Sequence, residues 1–411
     1  MILLKLAWRN NWRHRWRSSL TVAAVVFGLS ITVWGFCISE GSHEQMIVNS
    51  VESFSGHIQI HSEGFQDDPG VRKVFRPDKG LAALLDSGDV PGLADWGLRI
   101  STFGLASVGE TSFAAMLVGI EPEREQRFIH WDKKMETGRY LRDGEIDAVM
   151  VGADLAENLE IGVGDTVIIV TSDYYGSLSG ALRVVCGTFR SHSPELDRSG
   201  LLISLASAQE IMSMQGMANT AVLMATSSEQ VDPLISELKN RLQGQGLEVI
   251  GWREIMPEIV QAVELDSVFG VMTNLILLLV IGFMVLNTFL MSVIERIREF
   301  GIMRSLGASQ GKVVGLIVFE AVLLVGVGFL LANAIGIGAS VYNSIHPLDF
   351  SGAGDEIYKY YGMDPRIYAR VTWQTLIYPN LFVAAVIVLA LIYPAWRAAR
   401  IKPAEAVSRR H

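Results

Sequence analysis

Four long apolar stretches, free or nearly free of charge, constrain this chain before anything else does. Between Arg17 and Glu40 lie 22 uncharged residues, between Asp266 and Glu295 lie 28, and between Arg370 and Arg397 lie 26. From Val313 to His346 the one charge is Glu320. Each stretch exceeds the ~20 residues that carry a helix across ~30 Å of hydrocarbon. There every backbone N–H and C=O must be paired within the segment. The expected fold is an α-helical membrane protein with four transmembrane helices and a large inserted α/β extracytoplasmic domain. Charged residues make up 19% of the chain, against ~25% in soluble domains.

Lys and Arg set the expected orientation. Residues 1–18 carry a net charge of +5, 294–312 carry +2 and 396–411 carry +4, which leaves −20 on the rest of a chain whose total is −9. The basic segments are therefore assigned to the cytoplasm, with both termini inside. The layout that follows is a cytoplasmic interfacial helix at 1–18, transmembrane helices at 19–39, 268–293, 313–342 and 373–396, and an outer domain at 40–267. A cytoplasmic segment occupies 294–312, an outer loop 343–372 and a cytoplasmic tail 397–411. Trp8, Trp12 and Trp16 recur every four residues among basic side chains, which places the leading helix at the headgroup level. The first apolar stretch is longer than a signal-peptide core and lacks a clean small-x-small site, so it reads as an uncleaved anchor. Cys37 in a span and Cys186 in the outer domain are not expected to pair.

Residues 295–309 read as one amphipathic helix of about three to four turns. Ile297, Phe300, Ile302, Met303 and Leu306 supply its apolar face, Arg296, Arg298, Glu299 and Arg304 its charge, and Gly307 a stop. It is too short and too charged to cross a bilayer. In the outer domain the runs 57–61, 114–120, 166–171, 182–186 and 221–225 read as strands, and 79–85, 153–159, 206–214 and 231–243 as helices. Residues 173–180 connect two of the strands as a hairpin.

Motifs for chemistry are mostly absent. Gly307-Ala-Ser-Gln-Gly311-Lys312-Val313 is one residue short of a phosphate loop and lacks its hydroxyl, so this chain is not expected to bind or hydrolyse ATP. His57 and His61 share a strand face, about 13 Å apart, too far for one metal ion. No metal, cofactor or nucleic acid is expected. Glu320 is an intramembrane carboxylate and so a functional candidate, near enough to the inner boundary for a structural partner to account for it. Asn274, Asn287 and Thr288 are expected to bond between helices, and the glycines at 326, 328, 336 and 338 to let helices approach.

Taken together, the order span, large outer domain, three spans resembles the MacB/LolC-LolE/FtsX class of ABC-transporter permeases. The run Asn287-Thr-Phe-Leu-Met-Ser-Val-Ile-Glu295-Arg-Ile-Arg-Glu-Phe-Gly-Ile-Met-Arg304-Ser-Leu-Gly-Ala-Ser309 resembles the end of the family's second span and its coupling helix. Phe319-Glu320, the exit Pro394-Ala-Trp-Arg-Ala-Ala-Arg400-Ile-Lys-Pro403, and Ser55-Gly-His-Ile-Gln-Ile-His61 carry the rest of the likeness. The resemblance implies a dimeric permease of the bacterial inner membrane, a copy or a paralogue completing the dimer. ATP and Mg²⁺ would be bound by separate ATPase subunits. It further implies that motion of those subunits passes to the outer domains through Glu295, Arg296, Arg298, Glu299, Phe300, Met303 and Arg304.

Two tasks follow from the resemblance. In the lipoprotein-releasing branch, a lipid-anchored cargo would enter between the first two spans and meet Phe36, Ile38, Met46, Ile47, Val268 and Met272. A hairpin carrying Tyr174, Tyr175, Ser177 and Leu178, short for the purpose, would contact a periplasmic carrier. The alternatives are MacB-like efflux with an adaptor and FtsX-like activation of periplasmic hydrolases.

Overall fold

The computed structural model describes residues 15–66, 70–77, 79–191, 193–351 and 365–400. The interfacial helix expected at 1–18 and the tail expected at 397–411 lie largely outside those residues, as does the middle of the loop at 343–372. The described chain falls into two compact units. One is built from residues up to 44, from 262–350 and from 366 onward, the other chiefly from 45–261.

Four helices of the first unit are long and apolar enough to cross a membrane. They are α1 (Arg15–Ser50), α2 (Pro257–Glu295), α4 (Gln310–Ile345) and α5 (Trp373–Ala399), with the short α3 (Ile297–Ser305) between α2 and α4. Both α1 and α2 run past the apolar stretches that announce them. Glu44, Gln45 and Met46 favour helix and no proline intervenes after α1 leaves its apolar stretch. Pro257 starts α2 at the first helical position, where its missing N–H costs nothing. Thr372 and Thr375 cap α5 reciprocally, each hydroxyl accepting from the other residue's backbone N–H at 3.2 and 2.9 Å.

Packing in this unit relies on small residues and a few amides. A Cβ on Gly28 would meet Ile281 at 2.2 Å, one on Gly328 would meet Val25 at 2.9 Å, and one on Gly336 would meet the Ser30 carbonyl at 3.0 Å. Asn333 and Asn380 exchange side-chain hydrogen bonds of 2.8 Å in both directions, and Trp34 Nε1 donates to Asn343 at 3.1 Å. Among the described residues, the interhelical bonds expected of the second span do not form. Asn274 and Thr288 bond back to carbonyls of their own helix, and Asn287 is exposed. Phe269, Ile276, Leu279 and Phe283 of α2 are exposed, the surface of a helix meant for lipid.

The second unit is built on one ten-stranded sheet. Its strands are β1 (Ile58–Ser62), β2 (Leu93–Val108), β3 (Thr111–Ile120), β4 (Met135–Gly138), β5 (Ala148–Gly152), β6 (Thr166–Ser172), β7 (Leu178–Phe189), β8 (Gly200–Ser204), β9 (Thr220–Ala225) and β10 (Leu247–Gly251). The order is β10-β1-β9-β2-β3-β8-β5-β7-β4, and β6 pairs with both β2 and β7. Six strands therefore close a circuit, β2-β3-β8-β5-β7-β6 and back to β2. Strand β2 makes this possible by its length. Its first half pairs with β9, its second with β6. Gly104 sits where β6 approaches, since a Cβ there would lie 2.4 Å from the Val170 carbonyl.

Alternation along the strands separates two cores. Val149 and Val151 of β5 join Leu117, Val167 and Leu201 in one, under the short helices Ala153–Leu159 and Leu205–Ile211. Ala148 and Met150 turn the other way, into a core with Ile60, Trp96, Ile120 and Trp131.

Candidate coupling and cargo sites

Residues 295–309 do not form the single helix expected. Helix α2 ends at Glu295, Arg296 leaves helical geometry at φ −105° and ψ 13°, and α3 is a separate helix of nine residues. Gly307, at φ +94°, closes it, its N–H donating to the Arg304 carbonyl at 3.1 Å. The break is held by a buried charge pair. Arg296 Nη1 donates to both carboxylate oxygens of Glu320 on α4, at 2.9 and 2.8 Å. Arg296 Nε reaches Glu299 at 3.0 Å, and the guanidinium lies 4.9 Å from the Phe300 ring centroid. A carboxylate inside a membrane needs such a partner, and Arg296 supplies it.

This geometry sorts the predicted coupling residues. Arg296 and Phe300, expected to face a partner, are buried. Phe300 packs with Val293, Val313, Leu316, Ile317 and Ala398, and Met303 rests on the same cluster. Arg304 is half-buried and donates to the Ala399 carbonyl at 3.4 Å. Glu295, Arg298 and Glu299 are exposed, as are two residues of the expected apolar face, Ile302 and Leu306. Leu306 is 83% exposed. Arg296 and its partner Glu320 are 24 positions apart, and the break at Arg296 interrupts the helical spacing that residues 295–309 suggest.

The predicted cargo residues divide between the units. Phe36 and Ile38 are half-buried and Val268 and Met272 exposed in the membrane unit. Ile47 packs on the core of the inserted unit. Met46 lines a cavity of about 550 Å³ in that unit, with Phe54, Phe103, Met116, Met256 and His61. Burial holds His61 below its ordinary pKa, and the imidazole is fixed between the Asn219 carbonyl and Gln59, each at 2.9 Å. Phe65 stacks on it, with ring centroids 4.3 Å apart.

The hairpin between β6 and β7 is tight. Asp173 Oδ1 accepts from the N–H groups of Tyr175 and Ser177, at 3.0 and 2.7 Å, and Gly176 takes φ +86°. Tyr175 and Leu178 are 73% and 81% exposed, and Ser177 is exposed with them. Tyr174 is not part of that surface. It is half-buried, its N–H donates to the Met212 carbonyl, and it packs on the core.

Four helices long and apolar enough to cross a membrane, a short helix between the second and third of them in the chain, and a large inserted sheet domain make up a multi-pass membrane protein. Comparison with known proteins specifies the class. Residues 18–241 match the MacB-like periplasmic core domain, and residues 271–403 the FtsX-like permease C-terminal domain. The chain belongs to this family and is an ABC-transporter permease with a periplasmic α/β domain. It is 26% identical to the lipoprotein-releasing system transmembrane protein LolC of Xylella fastidiosa, over 95% of this chain and 93% of that one. It is 22% identical to an uncharacterized ABC transporter permease of Methanocaldococcus jannaschii, over 98% and 96% of the two chains. The periplasmic region of MacB from Actinobacillus actinomycetemcomitans aligns with 54% of this chain and 98% of its own, at 18% identity and a TM-score of 0.35.

Proposed function

We propose that this chain carries the motion of a separate ATPase across the bacterial inner membrane to its periplasmic domain, and that the work done there is extraction of lipoproteins from the membrane. Both termini and α3 lie on the cytoplasmic side in this reading, which the distribution of Lys and Arg supports. The observation that carries it is the Arg296–Glu320 joint. A load on the exposed residues of α3 has to pass into α2 and α4, because Arg296 and Phe300 fix α3 to both of them. Arg298, Ile302 and Leu306 are then the contact with the ATPase, an apolar spot edged by charge. The likeness to LolC over nearly the full chain supports lipoprotein as the cargo. The cavity that includes Met46 would offer such a cargo Phe54, Phe103, Met116 and Met256, among polar side chains such as Arg99 and Glu195.

Affinity purification from native membrane, with mass spectrometry of what co-purifies, tests the whole reading. An ATPase subunit and lipidated protein are the expected partners, whereas an adaptor protein and no lipidated protein would favour efflux. The isolated chain is expected to show no ATPase activity above background. Arg298→Glu combined with Leu306→Asp should reduce recovery of the ATPase at least ~10-fold, since it reverses a charge and wets the apolar spot. Undiminished recovery would remove α3 as the contact.

A further inference from the structure

The cytoplasmic joint has a counterpart where α1 ends inside the inserted domain. Helix α1 finishes at Ser50 and continues as one wide turn, Val51–Ser55, closed by the Gly56 N–H on the Val51 carbonyl at 2.9 Å. The last carbonyls of a helix have no partner within it. Here three of them are taken by side chains from three separate elements. Lys134 Nζ donates to the Ser53 carbonyl at 3.1 Å, Arg99 Nη1 to that of Phe54 at 2.5 Å, and Gln59 Nε2 to that of Ser55 at 2.7 Å. Two of the three donors are cations, set against the negative end of the helix dipole.

Arg99 is the centre of this grip. It is 1% exposed, a level an arginine reaches only when its charge is met. Glu125, fully buried on the helix Pro122–Phe128, meets it in a two-point pair, and Trp131 Nε1 donates to the same carboxylate at 3.3 Å. The Arg99 guanidinium also stacks 4.3 Å from the Phe54 ring centroid. In the sheet, Arg99 sits where β2 pairs on both sides, opposite Thr220 of β9 and Ile120 of β3. Next to it, a Cβ on Gly56 would lie 2.4 Å from Val222, so the chain enters the sheet with no slack. Burying this much charge is not needed for stability, since an apolar pair of the same volume commonly serves as well. An apolar pair, however, could not hold a carbonyl.

We propose that Arg99 is the positioning residue through which displacement of α1 reaches the sheet of the periplasmic domain. This rests on the transmission reading above and adds the residue that couples helix to sheet. Glu125 keeps Arg99 charged and aimed, and Lys134 and Gln59 hold the carbonyls on either side.

The test uses the chain in complex with the ATPase that co-purifies with it, reconstituted in liposomes, and measures amide hydrogen exchange with and without ATP and vanadate. In the natural protein, trapping the nucleotide should change exchange in both 45–55 and 93–108. In Arg99→Met with Glu125→Gln, which leaves Trp131 an acceptor, the change in 45–55 should persist. The change in 93–108 should fall at least ~5-fold, with the ATPase rate within ~2-fold of normal. Arg99→Lys keeps the charge but loses the fork, and should fall between, with roughly half the change in 93–108. It also serves as the readout if the double variant does not fold. A full change in 93–108 in a folded variant overturns the proposal. A natural complex that shows no nucleotide effect in 45–55 would instead overturn the transmission reading, and the role of Arg99 with it.

Discussion

In the membrane unit the buried Arg296–Glu320 pair ties the end of α2 to a point about three turns into α4, whereas in the inserted domain Arg99–Glu125 sits within a sheet core and reaches out to hold a third element. The difference follows from the two solvents. Between helices in lipid there is no hydrophobic drive, because the tails are as apolar as leucine. Helix contacts there depend on close approach at Gly28, Gly328 and Gly336 and on polar joints such as Asn333–Asn380. In the domain, water drives the core together through residues such as Ile60, Leu117 and Val149. Polar pairs there are left free to take up position rather than cohesion.

The sharpest break of this contrast is at Glu320. Glu320→Leu strands Arg296 in a buried site and should cost about 3–5 kcal/mol, read as loss of folded protein in detergent. Adding Arg296→Met should restore most of the yield while α3 loses its tie. If the single variant were as stable as the natural protein, the joint would not be structural.

Glycines extend the comparison. A Cβ on Gly152 in the domain would meet the backbone carbonyls of Asp197 and Leu196 at 2.4 and 2.6 Å, whereas one on Gly28 meets only the tip of the Ile281 side chain. Gly152→Ala should therefore cost about 1–3 kcal/mol in thermal unfolding, and Gly28→Ala less than ~1 kcal/mol, because Ile281 can change rotamer. Equal costs would mean the membrane helices are as rigidly seated as the sheet. The amide pair is a finer probe. Asn333→Leu should cost about 0.6–1 kcal/mol and the double change with Asn380→Leu less than the sum, by a double-mutant cycle.

The smallest effect concerns pH. Burial holds His57 and His61 in the domain below the ordinary value of 6.5. A base with a depressed folded pKa stabilises the fold fully above pH 6.5 and loses that contribution as pH falls toward the folded value. The temperature at which 45–261 becomes protease-sensitive should accordingly fall between pH 7.5 and 5.5, and less so in His61→Asn. A midpoint that rises on acidification would show the imidazoles charged in the fold.

Much of this was open to reading in the sequence because its physics is local. Charge-free length announces four helices, alternation announces β1, and short apolar runs announce β6 and β9. Strand β2 escaped notice, since Asp95, Gly97, Arg99 and Gly104 break its apolar pattern. Three of those departures serve contacts made by folding: Gly97 faces Phe128, Arg99 meets Glu125 and Gly104 faces Val170. The coupling segment was visible as a segment, but not which side of it faces inward. Arg99 carried no signal at all. Its carboxylate is 26 positions away on a helix and the carbonyl it holds is 45 positions away, distances no spacing rule spans.

The closed circuit of strands has a consequence for how the domain yields. An open sheet can be peeled from an edge, one row of hydrogen bonds at a time. The strands β2, β3, β8, β5, β7 and β6 offer no such starting point, since each has a neighbour on both sides. The circuit depends on pairings of β2 with β6 and of β3 with β8 that join residues about 60 to 85 positions apart, so they belong to the slower contacts of folding. Once made, the circuit leaves those six strands to hold together or to open together, while β10 and β4 remain as edges.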